Sequence, residues 1–380
     1  MKRKIYSEEH ESFRDIVKRF IKDHIASDYS LWEKQGQVPT ELYKLAGKQG
    51  LLCPSADEKY GGSGGDFLFS AIIIEELYRQ GFHSVFFALH SDIAFPYISE
   101  LGSAEQKEKW LAKCVSGENI LALAMTEPNY GSDIANLQTR AEKKDNFYVL
   151  NGSKTFISNG QIANLVIVAA RTSLDKEKPH KGISLFVVEA DTLGFKRGQK
   201  LEKIGLHAQD TSELFFENCK IPTANMLGAE GTGFYSMMKS LQQERLVIAI
   251  GAAAAAKGCL DLTLQYVKER QVFGKPLSHM QNTRFELAEI ATQVQLAESF
   301  LDDLIPRHMA REDIVKEVSM AKYWMTDMQS SVADRCLQLF GGYGYSLEYP
   351  IARQYVDARV QKIYGGTNEI MKEMIASRLM

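Results

Sequence analysis

From residue 7 to about 120 the apolar positions return every three or four residues, so Phe13, Ile16, Val17, Phe20, Ile21 and Ile25 fall on one face of a helix. The same spacing predicts helices over 40–50, 66–80 and from Ala104 onward, with Gly61, Gly62, Gly64 and Gly65 marking a loop between two of them. The pattern then changes. NFYVLNGSKTFISNG, LVIVAARTS, GISLFVVEA and SELFFENCKI are short segments rich in Val, Ile, Phe and Thr, separated by Gly, Asn, Asp and Pro, as antiparallel strands are. After GAEGTGF the helical spacing resumes over 233–269, 283–305, 311–340 and 367–379. The expected architecture is α+β in three units: an N-terminal helical domain over 1–120, a middle antiparallel β domain over 121–225 and a C-terminal helical bundle over 226–380.

Composition narrows the function more than the fold. A 380-residue chain that is 45% hydrophobic and 24% charged can bury a large core. A net charge of -3 without a dense Lys/Arg stripe gives nucleic acid nothing to bind. Cys53, Cys114, Cys219, Cys259 and Cys336 are scattered without CxxC spacing, which predicts small core residues rather than disulfides or zinc ligands. No metal is expected, since the histidines form no HExxH cluster, and GxSxG is absent as well. The longest apolar run, LVIAIGAAAAA, is too short for a membrane span, and the N-terminal segment turns acidic within a few residues, so a cytoplasmic location is expected.

Several places could carry chemistry. Glu244, in SLQQERLVIAIG, shares a helical stripe with Leu241, Ile248, Gly251 and Ala255, so it should be buried. Burial raises a carboxylate's pKa and makes it a proton acceptor near neutral pH. An ion pair with Arg245 or across helices is the alternative reading. MTEPNYGSD follows an apolar strand, and TFISNG places Phe156 and Ser158 on one side of a strand; an aromatic ring beside hydroxyls could hold a flat heteroaromatic cofactor. QLFGGYGY follows a helix and lacks GK[ST], so it is neither a dinucleotide fingerprint nor a P-loop. His180, in the charged loop RTSLDKEKPHKG, reads as solvated. In IYGGTNEI, Gly365 and Gly366 precede a helix start, which allows a close approach to the backbone.

Taken in order and at these spacings, MTEPNYGSD, KTFISNG, QQERLVIA, ERQVFGKPLSHMQ, QLFGGYGY and IYGGTNEIMKE resemble the acyl-CoA dehydrogenase family over nearly the whole chain, and its long-chain type in particular. The resemblance implies a C-terminal four-helix bundle, one FAD per subunit, a homotetramer, and electrons passed to electron-transfer flavoprotein. It implies that Leu123, Met125, Thr126, Gly131 and Ser132 follow one edge of the flavin, and that Phe156, Ile157 and Ser158 cover its ring. It brings Arg270, Phe273 and Gln281 to the FAD of a neighbouring subunit. Gln338, Gly341, Gly342, Thr367 and Glu369 would close over the adenosine and pyrophosphate end.

Many family members carry the catalytic glutamate at the position of Gly365, where this chain has no carboxylate. In the long-chain and isovaleryl types the base stands on the bundle helix, at the position of Glu244. The implied reaction is α,β-dehydrogenation of a saturated, medium- to long-chain acyl-CoA to trans-2-enoyl-CoA, as in fatty-acid β-oxidation. The Gly365 N–H then donates to the thioester carbonyl, and Ser132, Tyr235, Gln242, Arg245 and Gly366 meet the thioester or CoA. A small Ala88 at the expected pocket floor favours a long tail. An isovaleryl-type or other branched-chain enzyme and an acyl-CoA oxidase are the nearest alternatives, and a non-catalytic flavin or acyl-CoA binding protein is the alternative of another class.

Overall fold

The computed structural model describes residues 3–175 and 177–380. Met1 and Lys2 of the N-terminal segment, and Lys176 of the charged loop, lie outside the described residues. Six helices come first: α1 Glu8–His24, α2 Tyr29–Gln35, α3 Thr40–Lys48, α4 Phe67–Arg79, α5 Phe95–Leu101 and α6 Ala104–Val115. Ser7 starts α1 with a capping box: its hydroxyl accepts from the His10 N–H while the His10 ring reaches back to the Ser7 N–H. Asp66 caps α4 in the simpler way, accepting from the Leu68 N–H. The helical spacing gave no sign of α2 or α5. A π-helical segment, Leu89–Ala94, runs directly into α5.

Eight strands follow: β1 Leu121–Ala124, β2 Arg140–Lys143, β3 Phe147–Ser158, β4 Leu165–Arg171, β5 Ile183–Glu189, β6 Phe195–Lys200, β7 Thr211–Pro222 and β8 Met226–Leu227. They form one sheet in the order β6-β7-β3-β2-β4-β5-β8, with β1 on β4. The pairs are antiparallel except β1 with β4 and a single β2–β4 contact, which are parallel. β4 is buried along its whole length, and its alternation divides it between two cores. Leu165, Ile167 and Ala169 join the core shared with the helices, while Val166, Val168 and Ala170 face a second, smaller one.

The C-terminal unit has three long helices, α7 Gly233–Glu269, α8 Gln281–Met309 and α9 Val315–Phe340, and two short ones, α10 Pro350–Ala358 and α11 Asn368–Ala376, which pack on α9. A hairpin of β9 Gln271–Val272 and β10 Lys275–Pro276 joins α7 to α8. The alanine run of α7 is interior, and Gly251 and Gly258 on either side of it let α4 lie close. A Cβ on Gly258 would stand 2.0 Å from the Arg79 carbonyl oxygen, and one on Gly251 would stand 2.8 Å from the Tyr78 ring. The five cysteines are free and buried, as their spacing predicted.

Candidate active site

Glu244 lies on the buried face of α7 at 6% exposure. One of its oxygens, Oε1, accepts a hydrogen bond of 2.9 Å from the Tyr97 hydroxyl of α5. Burial pushes its pKa up to about 7, against the opposing pull of the Tyr97 hydrogen bond and the Arg245 charge. The expected alternative, an ion pair with Arg245, is not made: the Arg245 Nε donates instead to the Gly365 carbonyl oxygen at 3.4 Å. A carboxyl that titrates near neutrality, buried without a salt bridge among the described residues, is equipped to accept a proton.

The Gly365–Gly366 turn stands over this part of α7. Both glycines are left-handed, at φ 64° and 91°. A Cβ on Gly365 would lie 2.3 Å from Ile248 Cδ1, and Ile248 is one helical turn beyond Glu244. The room for a side chain at position 365 is therefore filled from the helix that carries Glu244. The turn's carbonyls point to cations: Lys322 of α9 donates to the Gly366 oxygen at 2.7 Å and to Asn368 Oδ1 at 3.0 Å. Burial, reinforced by the Arg245 charge, lowers the Lys322 pKa to about 8. No carbonyl of a described residue accepts from the Gly365 N–H. Thr367 caps α11 through the Ile370 N–H, and Glu369 is exposed beside it.

A second cluster forms where β1 and β3 meet. Lys154 Nζ donates to Glu127 Oε1 at 2.8 Å and to the Met125 carbonyl at 3.0 Å. Glu127 also accepts from the Gln138 and Thr139 N–H groups, and the Thr155 N–H donates to Thr126. The loop from Leu123 to Ser132 is thereby pinned to β3 by a buried ion pair. Burial draws the Lys154 pKa down to about 8; burial opposes the Glu127 charge too, but Lys154 holds that carboxyl below its usual range. Neither residue was singled out in the sequence, although both sit inside quoted motifs. A register shift between Lys154 and Ile157 interrupts β3, and Phe156 adopts φ 58° and is 68% exposed. Left-handed backbone at a non-glycine residue costs about 1–3 kcal/mol and gathers at functional sites. Ile157 points inward, while Ser158 and Thr126 are half-buried and Gly131 and Ser132 exposed. A flat aromatic platform beside an open, hydroxyl-bearing loop fits the isoalloxazine ring of a flavin.

The remaining expected residues lie elsewhere. Arg270 follows the end of α7, about 39 Å of helix from Glu244 at a rise of about 1.5 Å per residue. Its guanidinium stands 5.4 Å from the centre of the Tyr343 ring, next to Gly341 and Gly342, while Phe273 at 97% exposure and Gln281 project from the hairpin and the start of α8. Gln338 is exposed on the last turn of α9. Thr367 and Glu369 do not join this group: they sit by Lys322, about 24 Å along α9 from Gln338. Gln242 departs from its expected role, because its amide is committed at both ends to the α8–α9 loop, donating to the Glu312 carbonyl and accepting from the Ile314 N–H. Tyr235 is half-exposed and packs on His180, which is partly covered rather than fully solvated.

A helical layer, a central sheet and a helical bundle, with a buried carboxyl of raised pKa on α7 and an exposed aromatic on β3, define the class. Three family models match: "Acyl-CoA dehydrogenase, N-terminal domain" over residues 7–118, "middle domain" over 122–219 and "C-terminal domain" over 231–380. The chain is 47% identical to the long-chain specific acyl-CoA dehydrogenase of Sus scrofa, covering 100% of this chain and 88% of the other. It superposes on an acyl-CoA dehydrogenase from Geobacillus kaustophilus with TM-score 0.98 and 52% identity, covering 100% of both chains. It also matches a glutaryl-CoA dehydrogenase from Mycobacterium smegmatis in complex with FADH2, with TM-score 0.93 and 29% identity over 100% and 96% of the two chains. The chain belongs to the acyl-CoA dehydrogenase family. It is an FAD-dependent enzyme that dehydrogenates an acyl-CoA, and electron transfer linked to an electron-transfer flavoprotein accords with that family. The cytoplasmic location expected from the N-terminal segment is corrected by these relatives, since the pig enzyme and its mouse and rat counterparts are mitochondrial.

Proposed function

We propose that the chain converts straight, long-chain acyl-CoA thioesters to trans-2-enoyl-CoA with Glu244 as the base. One observation carries this reading: Glu244 is buried on the same face of α7 as Ile248, whose side chain packs against the Gly365 turn. The substrate's α-carbon lies against Glu244, whose carboxylate takes the proton. Its thioester carbonyl accepts from the Gly365 N–H, which stabilises the charge that develops there as the proton leaves. Such a donor contributes about 3 kcal/mol in the transition state. Arg245 and Lys322 fix the orientation of this peptide by holding the neighbouring carbonyls. FAD, when bound, supplies the acceptor for the hydride that leaves Cβ.

Phe156–Ser158 and the Leu123–Ser132 loop would hold the flavin, with Ser132, Tyr235 and Gly366 along the thioester and CoA side. Because Arg270, Phe273, Gln281, Gln338, Gly341 and Gly342 are too far from Glu244 to share one cofactor with it, they serve a neighbouring subunit of a homotetramer. Electron-transfer flavoprotein takes the electrons onward. Similarity to the long-chain enzyme of pig and the buried, small Ala88 support the long tail.

The test is anaerobic titration with palmitoyl-CoA, following the flavin absorbance of the wild type and of Glu244→Gln. Wild type should bleach, while the variant should bind substrate and bleach at least about a hundredfold more slowly. Near-normal bleaching by the variant would refute the base. Bleaching by isovaleryl-CoA but not palmitoyl-CoA would make the enzyme a branched-chain one.

A further inference from the structure

The hydrogen bond to Glu244 comes from an element far away in sequence. Tyr97 sits on α5 in the N-terminal unit, is 1% exposed, and reaches across to α7. We propose that Tyr97 is the positioning residue of the base: its hydroxyl fixes Oε1 of Glu244 and leaves Oε2 to take the α-proton. The inference rests on Glu244 being the base.

The geometry supports this division of labour between the two oxygens. Oε1 accepts from Tyr97 at 2.9 Å, while Oε2 has no hydrogen-bond partner among the described residues and is not among the fully buried atoms. A glutamate side chain has several rotatable bonds, and holding one oxygen removes most of that freedom before substrate arrives. Tyr97 itself is braced. The π-helical segment that leads into α5 is tied to α7 beside the base, since Gln243 Nε2 donates to the Asp92 carbonyl at 2.7 Å. Gln243 is held in turn by His308 of α8 at 3.1 Å. A π-helical turn shifts the face that the following helix presents, and such turns recur at functional sites.

The electrostatics run the same way. A hydroxyl that donates to a carboxylate favours its charged, basic form, opposing the burial that pushes Glu244 toward the neutral acid. The other titratable and charged groups that reach the pair are Arg245 from α7 and Glu100 from α5. Lys322 of α9 acts on Arg245, and Asp92 and His308 line the cleft of about 940 Å³ that also contains Ser240 and Gln243.

In Tyr97→Phe the base should become harder to ionise, and the acid limb of the kcat/KM profile should move up by about one pH unit. With the base starting at about 7, turnover at pH 7 should fall roughly fivefold and recover by pH 9. Replacing Tyr97 with 3-fluorotyrosine, a stronger donor, should move the limb down and keeps the test open if the Phe variant does not fold. Tyr97→Phe introduced into Glu244→Gln should cause no further loss. An infrared titration of the Glu244 carboxyl, taken as wild type minus Glu244→Gln, reads the same shift without turnover. An unmoved limb, a loss equal at every pH, or the same loss without Glu244 would overturn the proposal. Normal turnover of Glu244→Gln alone would instead overturn the base assignment, while the infrared titration would still report whether Tyr97 holds the carboxyl.

Discussion

Replacing Glu244, the proposed base, with its neutral isostere should make the folded protein more stable, by an amount that depends on pH. In Glu244→Gln the buried side chain keeps its shape and can still accept from Tyr97, but it no longer ionises. In the wild type Glu244 titrates at about 7, against an ordinary value of 4.5. A raised folded-state pKa contributes stability that is complete below the unfolded value and is lost as pH climbs through the folded one. The window here is pH 4.5 to 7. Linkage over that interval gives a cost of ionisation of about 1 kcal/mol at pH 5 and about 3 kcal/mol at pH 8. The variant escapes this cost, so its advantage should grow by about 2 kcal/mol between those two pH values. For a chain of this length that amounts to a rise in Tm on the order of 4 °C at pH 8 and about 1 °C at pH 5. Differential scanning calorimetry of the FAD-loaded enzymes at matched concentration would measure it. A shift that is the same at both pH values, or a lower Tm at pH 8, would refute the raised pKa.

Other perturbations follow from the same contacts. Gly365→Ala meets Ile248 and a left-handed backbone, so it should cost about 1–3 kcal/mol and reduce kcat; Ile248→Ala in the same chain should return part of the stability, as thermal unfolding of the single and double variants would show. Lys154→Met leaves the Glu127 carboxylate buried without its partner, which should cost about 3–5 kcal/mol and release flavin, measurable as the ratio of flavin to protein absorbance after gel filtration. Phe156→Ala should weaken flavin binding by roughly tenfold, whereas Phe156→Trp should keep it, as fluorescence titration of the apoenzyme would report. Arg270→Ala should lower flavin affinity together with assembly, because the two are one equilibrium if a neighbour completes the cofactor site; sedimentation velocity with and without added FAD separates the outcomes.

Periodicity resolved the long helices and the strand runs because their burial is one-sided or complete along the whole element, as in α1 and β4. It missed α2, with only two buried residues, and the π-helical segment with α5, where nearly every residue is buried and no face is left to mark the period. At the site, Glu244 was legible from its stripe, since a helical wheel needs only local geometry. Tyr97 and the Lys154–Glu127 pair were not. Their partners come from elements separated by 147 and 27 positions, and neither pairing leaves a local pattern. Gln242 shows the converse error: its place near Glu244 on the helix suggested a ligand, and only the fold shows that the α8–α9 loop, 70 to 72 positions on in sequence, takes its amide.

The proposed position of the base fits how two segments share one space. Ile248 and Glu244 are a turn apart on α7, so the helix face that presents the carboxylate also presents the side chain that fills the space above Gly365. A carboxylate moved to position 365 would need the Ile248 Cδ1 methyl turned aside, and Glu244 would then remain as a second buried acid near it. Two carboxylates sharing a small apolar site do not both ionise near neutral pH, because each raises the other's pKa. Only one of the two positions can therefore hold a working base. With Glu244 as the proposed base, this chain gives that role to the helix and leaves the loop with its backbone donor alone.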